Sequence, residues 1–170
     1  LAGRHADGGV VVDGGDGEAL EDDGADQVEA VMVYVNNEPI QLEAQGEDIQ
    51  VISVSDYIDM VANGIITSES FAAENPERVR GFVRAVLRGV EDTLNDPDEA
   101  YEISKEYVEG LEDDRRAVLD ASLPLWEADQ PGYTDSASWE TTQDILLASG
   151  LLDGPVDNLA DAYSNEFLPE

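Results

Sequence analysis

The apolar positions follow two rhythms. Up to about residue 67 they fall in short runs, and beyond residue 75 they recur at helical spacing. Residues 28–35 are almost wholly apolar, which predicts a strand buried on both faces of a parallel sheet. The run stops at Asn36-Asn37-Glu38-Pro39. Pro39 suits the first turn of a helix, with Asn37 or Glu38 near its start and Gly46 as its stop. Residues 49–54 read as a second strand. Residues 65–67 read as a third, after the turn signal Asn63-Gly64.

Helices are expected over most of the remainder. Ser68 or Ser70 can cap a short one around Phe71. Asn75-Pro76-Glu77 is a cap followed by proline at the first helical position. Val79, Phe82, Val83, Val86, Leu87, Val90 and Leu94 then form one apolar stripe. Asp96-Pro97-Asp98-Glu99 opens another helix in the manner of a capping box. Further helices are predicted over about residues 113–126 and 136–150, the last closed at Gly150 and Leu151 by a Schellman-type contact. A short turn holds residues 164–168. No internal repeat is visible.

Residues 1–26 break both rhythms. Gly8, Gly9, Gly14, Gly15, Gly17 and Gly24 alternate with acids there, and Val10–Val12 is the one apolar run. Such a lead offers little burial to offset ordering entropy and reads as flexible or poorly packed. Gly14-Gly15-Asp16-Gly17 lacks the Gly-Lys-Ser/Thr ending of a phosphate loop. Asp13, Asp16, Glu18 and Asp22 have calcium-binding chemistry but not the spacing of an EF-hand. The chain therefore divides into a lead, 1–26, and a folded part, 27–170.

Composition adds a strong constraint. The 170 residues carry 40 acids against 8 bases, a net charge of −32. Nucleic acid is excluded as a partner by like-charge repulsion. The apolar periodicity means that the charge coats a folded surface. Lys105 is the sole lysine. An acidic, lysine-poor coat suits a protein working in concentrated salt, which screens its self-repulsion, and a halophilic source is expected. Cysteine is absent, which excludes disulfides and thiolate chemistry. No stretch reaches the roughly 20 apolar residues of a membrane span. The chain begins at Leu1 without a signal peptide, as expected of a processed or partial product.

Four passages, in order, carry a family resemblance. They are Ala30-Val31-Met32-Val33-Tyr34-Val35-Asn36-Asn37-Glu38-Pro39; Asn63-Gly64-Ile65-Ile66 before Glu74-Asn75-Pro76-Glu77-Arg78-Val79-Arg80-Gly81-Phe82; Asn95-Asp96-Pro97-Asp98-Glu99-Ala100; and Tyr163-Ser164-Asn165-Glu166-Phe167-Leu168-Pro169. Over residues 27–170 the chain resembles the C-terminal half of ABC-transporter solute-binding proteins for thiamine-pyrimidine precursors, a group related to sulfonate-, nitrate- and riboflavin-binding proteins. The resemblance implies an α/β fold of the type II periplasmic-binding kind, of which this helix-rich chain is one part. It also implies an extracytoplasmic, membrane-associated location, an ABC permease as partner and no cofactor. Fungal and plant pyrimidine synthases share the fold but use a Cys-rich motif and a histidine. Residues 27–170 contain neither, so synthesis is not expected.

The candidate ligand residues lie at strand ends, where open α/β sheets bind their ligands. Asn36, Asn37 and Glu38 offer amides and a carboxylate suited to a pyrimidine edge; capping the helix is the alternative. Tyr34 can stack on a ring or pack in the core. Asp56 and Tyr57 follow the second strand. Trp126, Tyr133 and Trp139 surround Pro131-Gly132 and can sandwich a flat ligand or serve as core. Arg78, Arg80, Arg84 and Arg88 share one helix, either as a docking stripe or as partners of nearby acids. Each such pair is worth only about 0.3–0.5 kcal/mol. His5 is the only histidine, and it lies in the lead. The expected function is binding of a pyrimidine-like solute, with sulfonate, nitrate and riboflavin open. Glu38, and the lack of any Arg or Lys between Arg4 and Arg78, disfavour anions. A truncated remnant that binds nothing is the alternative.

Overall fold

The computed structural model describes residues 8–13, 30–61 and 63–169. Three strands form one sheet in the order β2-β1-β3: β1 Gly8–Asp13, β2 Ala30–Tyr34 and β3 Ile49–Ser53. Both outer strands run antiparallel to β1. Gly9 faces Val33 on one side and Ser53 on the other, and Val10 faces Met32 and Ile52. Two expectations are corrected here. Gly8–Asp13, inside the lead read as poorly packed, is the central strand. Three successive β-branched valines favour extended backbone, and pairing on both sides occupies the hydrogen-bonding groups along both of its edges. The sheet is also antiparallel rather than parallel. β2 alternates exposed and half-buried positions, whereas β3 is exposed at its three middle residues.

Residues 65–67 form no strand. Ile65 and Ile66 have strand chemistry, but a strand exists only through a ladder partner, and these residues pair with neither open edge of the sheet, the outer sides of β2 and β3. The second and first predicted strands appear as β3 and β2 within a residue or two of expectation.

The helices follow their caps. α1 (Glu38–Gln45) carries Pro39 in its first turn and ends on left-handed Gly46, φ 92°. The amides of Gly46 and Glu47 bond back to Glu43 and Leu42, closing the end. α1 packs on β2 and β3 and buries Leu42. α2 (Glu69–Glu74) is capped by Ser68, whose Oγ accepts from Phe71 N at 3.2 Å. α3 (Pro76–Asn95) follows at once. Asn75 does not cap it: its Nδ2 donates to Phe71 O and closes α2 instead. α4 (Pro97–Tyr107) has the expected cap, with Asp96 Oδ1 accepting from Glu99 N at 3.0 Å. α5 (Arg116–Trp126) is entered through a 3-10 turn at Asp113–Arg115. α6 (Ser136–Ala148) is capped by Asp135. It ends on Gly150, φ 73°, with Leu151 N bonded to Leu146 O and Gly150 N to Leu147 O. Those are the two Schellman bonds, although the Leu151 side chain itself stays in solvent.

The core is small. Among the described residues the buried hydrophobics are Leu42, Val79, Val83 and Tyr101. α3 packs on α4 and α5 and buries Val79 and Val83 of its stripe, while Phe82 and Val86 remain exposed. None of the described helices is long and apolar enough to cross a membrane.

Candidate functional site

β2 and β3 run in the same direction on either side of β1, so their C-terminal ends lie at one end of the sheet. Gly9 marks the place, facing Val33, one residue before the end of β2, and Ser53, the last residue of β3. The ends are two strand spacings apart, about 10 Å. Residues 35–37 and the 3-10 turn Val54–Asp56 therefore share one rim.

The β2 side of this rim is tightly bonded. Tyr34 N donates to Glu38 Oε2 at 3.0 Å, and Asn37 Nδ2 donates to Glu38 Oε1 at 3.1 Å. Gln41 Nε2 donates to Asn37 Oδ1 at 2.7 Å. Glu38 thus closes the turn onto the start of α1, where its charge also suits the helix N-terminus. The Tyr34 hydroxyl donates to Asn63 Oδ1 at 3.2 Å, bringing the loop after β3 alongside its ring. Asn36 Nδ2 donates 2.8 Å to the Oγ of buried Ser122 on α5, which itself donates to Val118 O. Asn36 so ties the sheet rim to the helical part of the chain.

Tyr34, Asn36, Asn37 and Glu38 are brought together; Asp56 and Tyr57 stand on the other side of the same rim. Tyr57 is open to solvent, at 77% exposure. Its amide, like that of Ile58, bonds to Val54 O. The sequence pattern did not single out Gln41 or Ser122, and it read Asn63 only as a turn. Gln41 follows Asn37 by one helical turn, a spacing that could have revealed it. Ser122 carries no such signal, because its partner is 86 residues away.

Among the aromatic and basic candidates, Trp139 and Arg80 make structural contacts, while Trp126 and Tyr133 are exposed. Trp139 stacks on Tyr163 with centroids 4.9 Å apart, and its Nε1 donates to Thr134 Oγ1 at 2.8 Å. Asn165 clamps the same strand of chain twice: its Oδ1 accepts from Thr134 N at 3.1 Å and its Nδ2 donates to Thr134 O at 2.7 Å. Arg80 donates to Glu166 O and lies 5.4 Å from the centre of the Phe167 ring. Its ion pair with Glu77, and that of Arg88 with Asp92, are loose at 3.7 Å. The C-terminal Asn165-Glu166-Phe167 passage is therefore a latch on α3 and on the loop before α6.

A second charged cluster holds α4 against α5. Lys105 Nζ donates to Glu102 and Asp113, both at 2.7 Å, and lies 5.2 Å from the centre of the buried Tyr101 ring. Arg116 flanks the same ring at 5.8 Å and pairs with Asp98 and Asp120. The hydrogen bond from Lys105 holds the Asp113 carboxyl below the usual range. Desolvation raises the Tyr101 phenol, whose hydroxyl donates to Glu112 O at 2.6 Å. The only lysine is thus a structural joint.

The acidic calcium candidates Asp16, Glu18 and Asp22, and His5, lie outside the described residues. Asp13 ends β1. Among the described residues no group of three His, Asp or Glu could hold a metal ion. The rim offers amides, carboxylates and phenols, which suit reversible hydrogen bonding and stacking.

A family model described as NMT1/THI5 like matches residues 10–100. The match begins within the segment that composition set apart. The riboflavin-binding protein RibY of Chloroflexus aurantiacus is 43% identical over 153 residues, covering 85% of this chain and 43% of its own length. The formylaminopyrimidine-binding protein of Halalkalibacterium halodurans is 28% identical over 152 residues, covering 79% of this chain and 43% of its own length. The chain spans under half the length of these curated relatives.

Proposed function

This chain belongs to the NMT1/THI5-like family, and on that premise we propose that it is the C-terminal part of an extracytoplasmic solute-binding protein that delivers a nitrogen heterocycle to an ABC permease. The 43% identity to a riboflavin-binding protein carries the reading. Riboflavin and formylaminopyrimidine, named for the two relatives, both contain a pyrimidine ring with polar edges. A flavin stands ahead of a simple pyrimidine on degree of identity, and sulfonate and nitrate fall behind. The fold is that of one part of a type II periplasmic-binding protein, and the chain performs no chemistry. Tyr34 and Tyr57 supply ring faces, and Asn37, Glu38 and Asp56 supply polar edges. Asn36 positions the rim through Ser122. The net charge of −32 suits a protein from a concentrated-salt environment.

Thermal unfolding in molar KCl tests this, with riboflavin, hydroxymethylpyrimidine, taurine and nitrate added in turn. A ligand present at 100 times its dissociation constant stabilises the folded state by about 2.7 kcal/mol. Riboflavin or the pyrimidine is expected to raise the midpoint, and Tyr57→Ala is expected to reduce the rise. A rise with taurine or nitrate alone would overturn the assignment. A midpoint that no solute moves would favour a remnant that binds nothing.

A further inference from the structure

Of the seven asparagines in the chain, only Asn63 is followed by glycine. Asn63 and Gly64 are both exposed and belong to no helix or strand, lying between the 3-10 turn Val54–Asp56 and α2. Glycine lacks a Cβ, so its amide nitrogen can approach the preceding side chain through backbone conformations closed to other residues. A Cβ built on Gly64 would meet nothing within 4 Å, so the space beside it is open. The Asn63 side chain is oriented by a distant residue: Tyr34 donates its hydroxyl to Asn63 Oδ1 at 3.2 Å. That bond draws electron density from Cγ and aims a donor at the oxygen on which charge develops when Cγ is attacked. The other asparagines lack this combination. Asn75 precedes proline, which has no N–H. Asn36, Asn37 and Asn165 precede bulkier residues and are held by side-chain bonds of their own.

We propose that Asn63-Gly64 is a self-modification site, at which the Gly64 nitrogen displaces the Asn63 amide with the Tyr34 hydroxyl stabilising the developing oxyanion. The deprotonated Gly64 nitrogen attacks Asn63 Cγ. The new N–C bond closes a succinimide ring, and Nδ2 leaves as ammonia, taking up the proton that Gly64 gave up. Water then opens the ring. Addition at Cγ gives an aspartyl residue. Addition at the backbone carbonyl gives an isoaspartyl residue, whose main chain runs through the side-chain methylene. Water is consumed and ammonia released, with no oxidant or cofactor. Either product exchanges a neutral amide for a carboxylate beside Tyr34, at the edge of the candidate site. The chemistry is independent of whichever solute the rim takes.

The 170-residue chain is incubated in molar KCl at mildly alkaline pH and followed by peptide mass spectrometry, with isoaspartyl methyltransferase labelling of the isoaspartyl product. Conversion of amide to acid is expected at residue 63 ahead of the other asparagines. Gly64→Ala is expected to slow it about tenfold, because a Cβ narrows the conformations open to the nitrogen. The alanine meets open space, so the fold is kept, which circular dichroism verifies. Tyr34→Phe is expected to slow conversion about threefold in the folded chain, well below the effect of a buried oxyanion donor, and not at all in urea. The proposal is overturned if residue 63 converts no faster than the other asparagines, or if Gly64→Ala reacts at the parent rate. It is also overturned if Tyr34→Phe leaves the rate in the folded chain unchanged or acts equally in urea.

Discussion

Gly132 and Gly150 form a controlled pair for testing the packing of the C-terminal latch. Both have left-handed backbone, φ 80° and φ 73°. A side chain at either position costs about 1–2 kcal/mol of backbone strain. Their surroundings differ. A Cβ on Gly132 would meet Leu87 Cδ2 at 3.0 Å and Leu168 Cδ2 at 3.1 Å, whereas one on Gly150 would meet nothing within 4 Å. The leucine methyls are side-chain ends that can retreat, so the overpacking adds about 1 kcal/mol, the low end for such insertions. Gly132→Ala is therefore expected to destabilise by about 2–3 kcal/mol and Gly150→Ala by about 1–2 kcal/mol. Urea unfolding in molar KCl, followed by the fluorescence of Trp126 and Trp139, measures the difference with the slope held common. Leu87→Ala removes the nearest methyl, so in that background the excess at position 132 is expected to shrink, with Leu168 Cδ2 at 3.1 Å remaining. Equal costs at the two glycines in the parent chain would refute the argument, because they would show that Leu87 and Leu168 do not press on the loop.

Asn165→Ala removes both bonds to Thr134 and is expected to cost about 1–3 kcal/mol in the same urea assay, the range for stranding part-buried backbone groups. Asp113 gives the expected pH signature. Its folded value is depressed by Lys105, so its contribution is present above the ordinary aspartate value and is lost as pH falls through the folded one. Carboxyl carbon NMR is expected to show Asp113 titrating below ordinary aspartates, and Lys105→Met is expected to return it to the usual range.

The helices were legible because their signals are local. Ser68, Asp96 and Asp135 sit three residues from the amides they cap, and Gly46 and Gly150 close helices through contacts within one turn. The sheet was not legible, because a strand is defined by partners elsewhere. Gly8–Asp13 sits in glycine- and acid-rich text, and its pairing residues lie about 20 to 45 positions onward. Residues 65–67 show the converse: strand chemistry that joins no ladder, although the outer edges of β2 and β3 are open. At the candidate site, proximity of residues 34–38 followed from chain adjacency. The bonds from Asn36 to Ser122 and from Tyr34 to Asn63 depend on how distant segments fold back, which no local pattern encodes.

The central place of β1 gives the sheet an unusual order of assembly. Among the described residues β2 and β3 share no ladder, and each finds its strand partner in the same six residues. During synthesis those six leave the ribosome first and wait for both partners to emerge. Neither outer strand can form without them, and the loss of one short segment by proteolysis would dissolve two ladders at once. The sheet therefore has a single point of failure, placed in the stretch of chain whose composition least advertises a structural role.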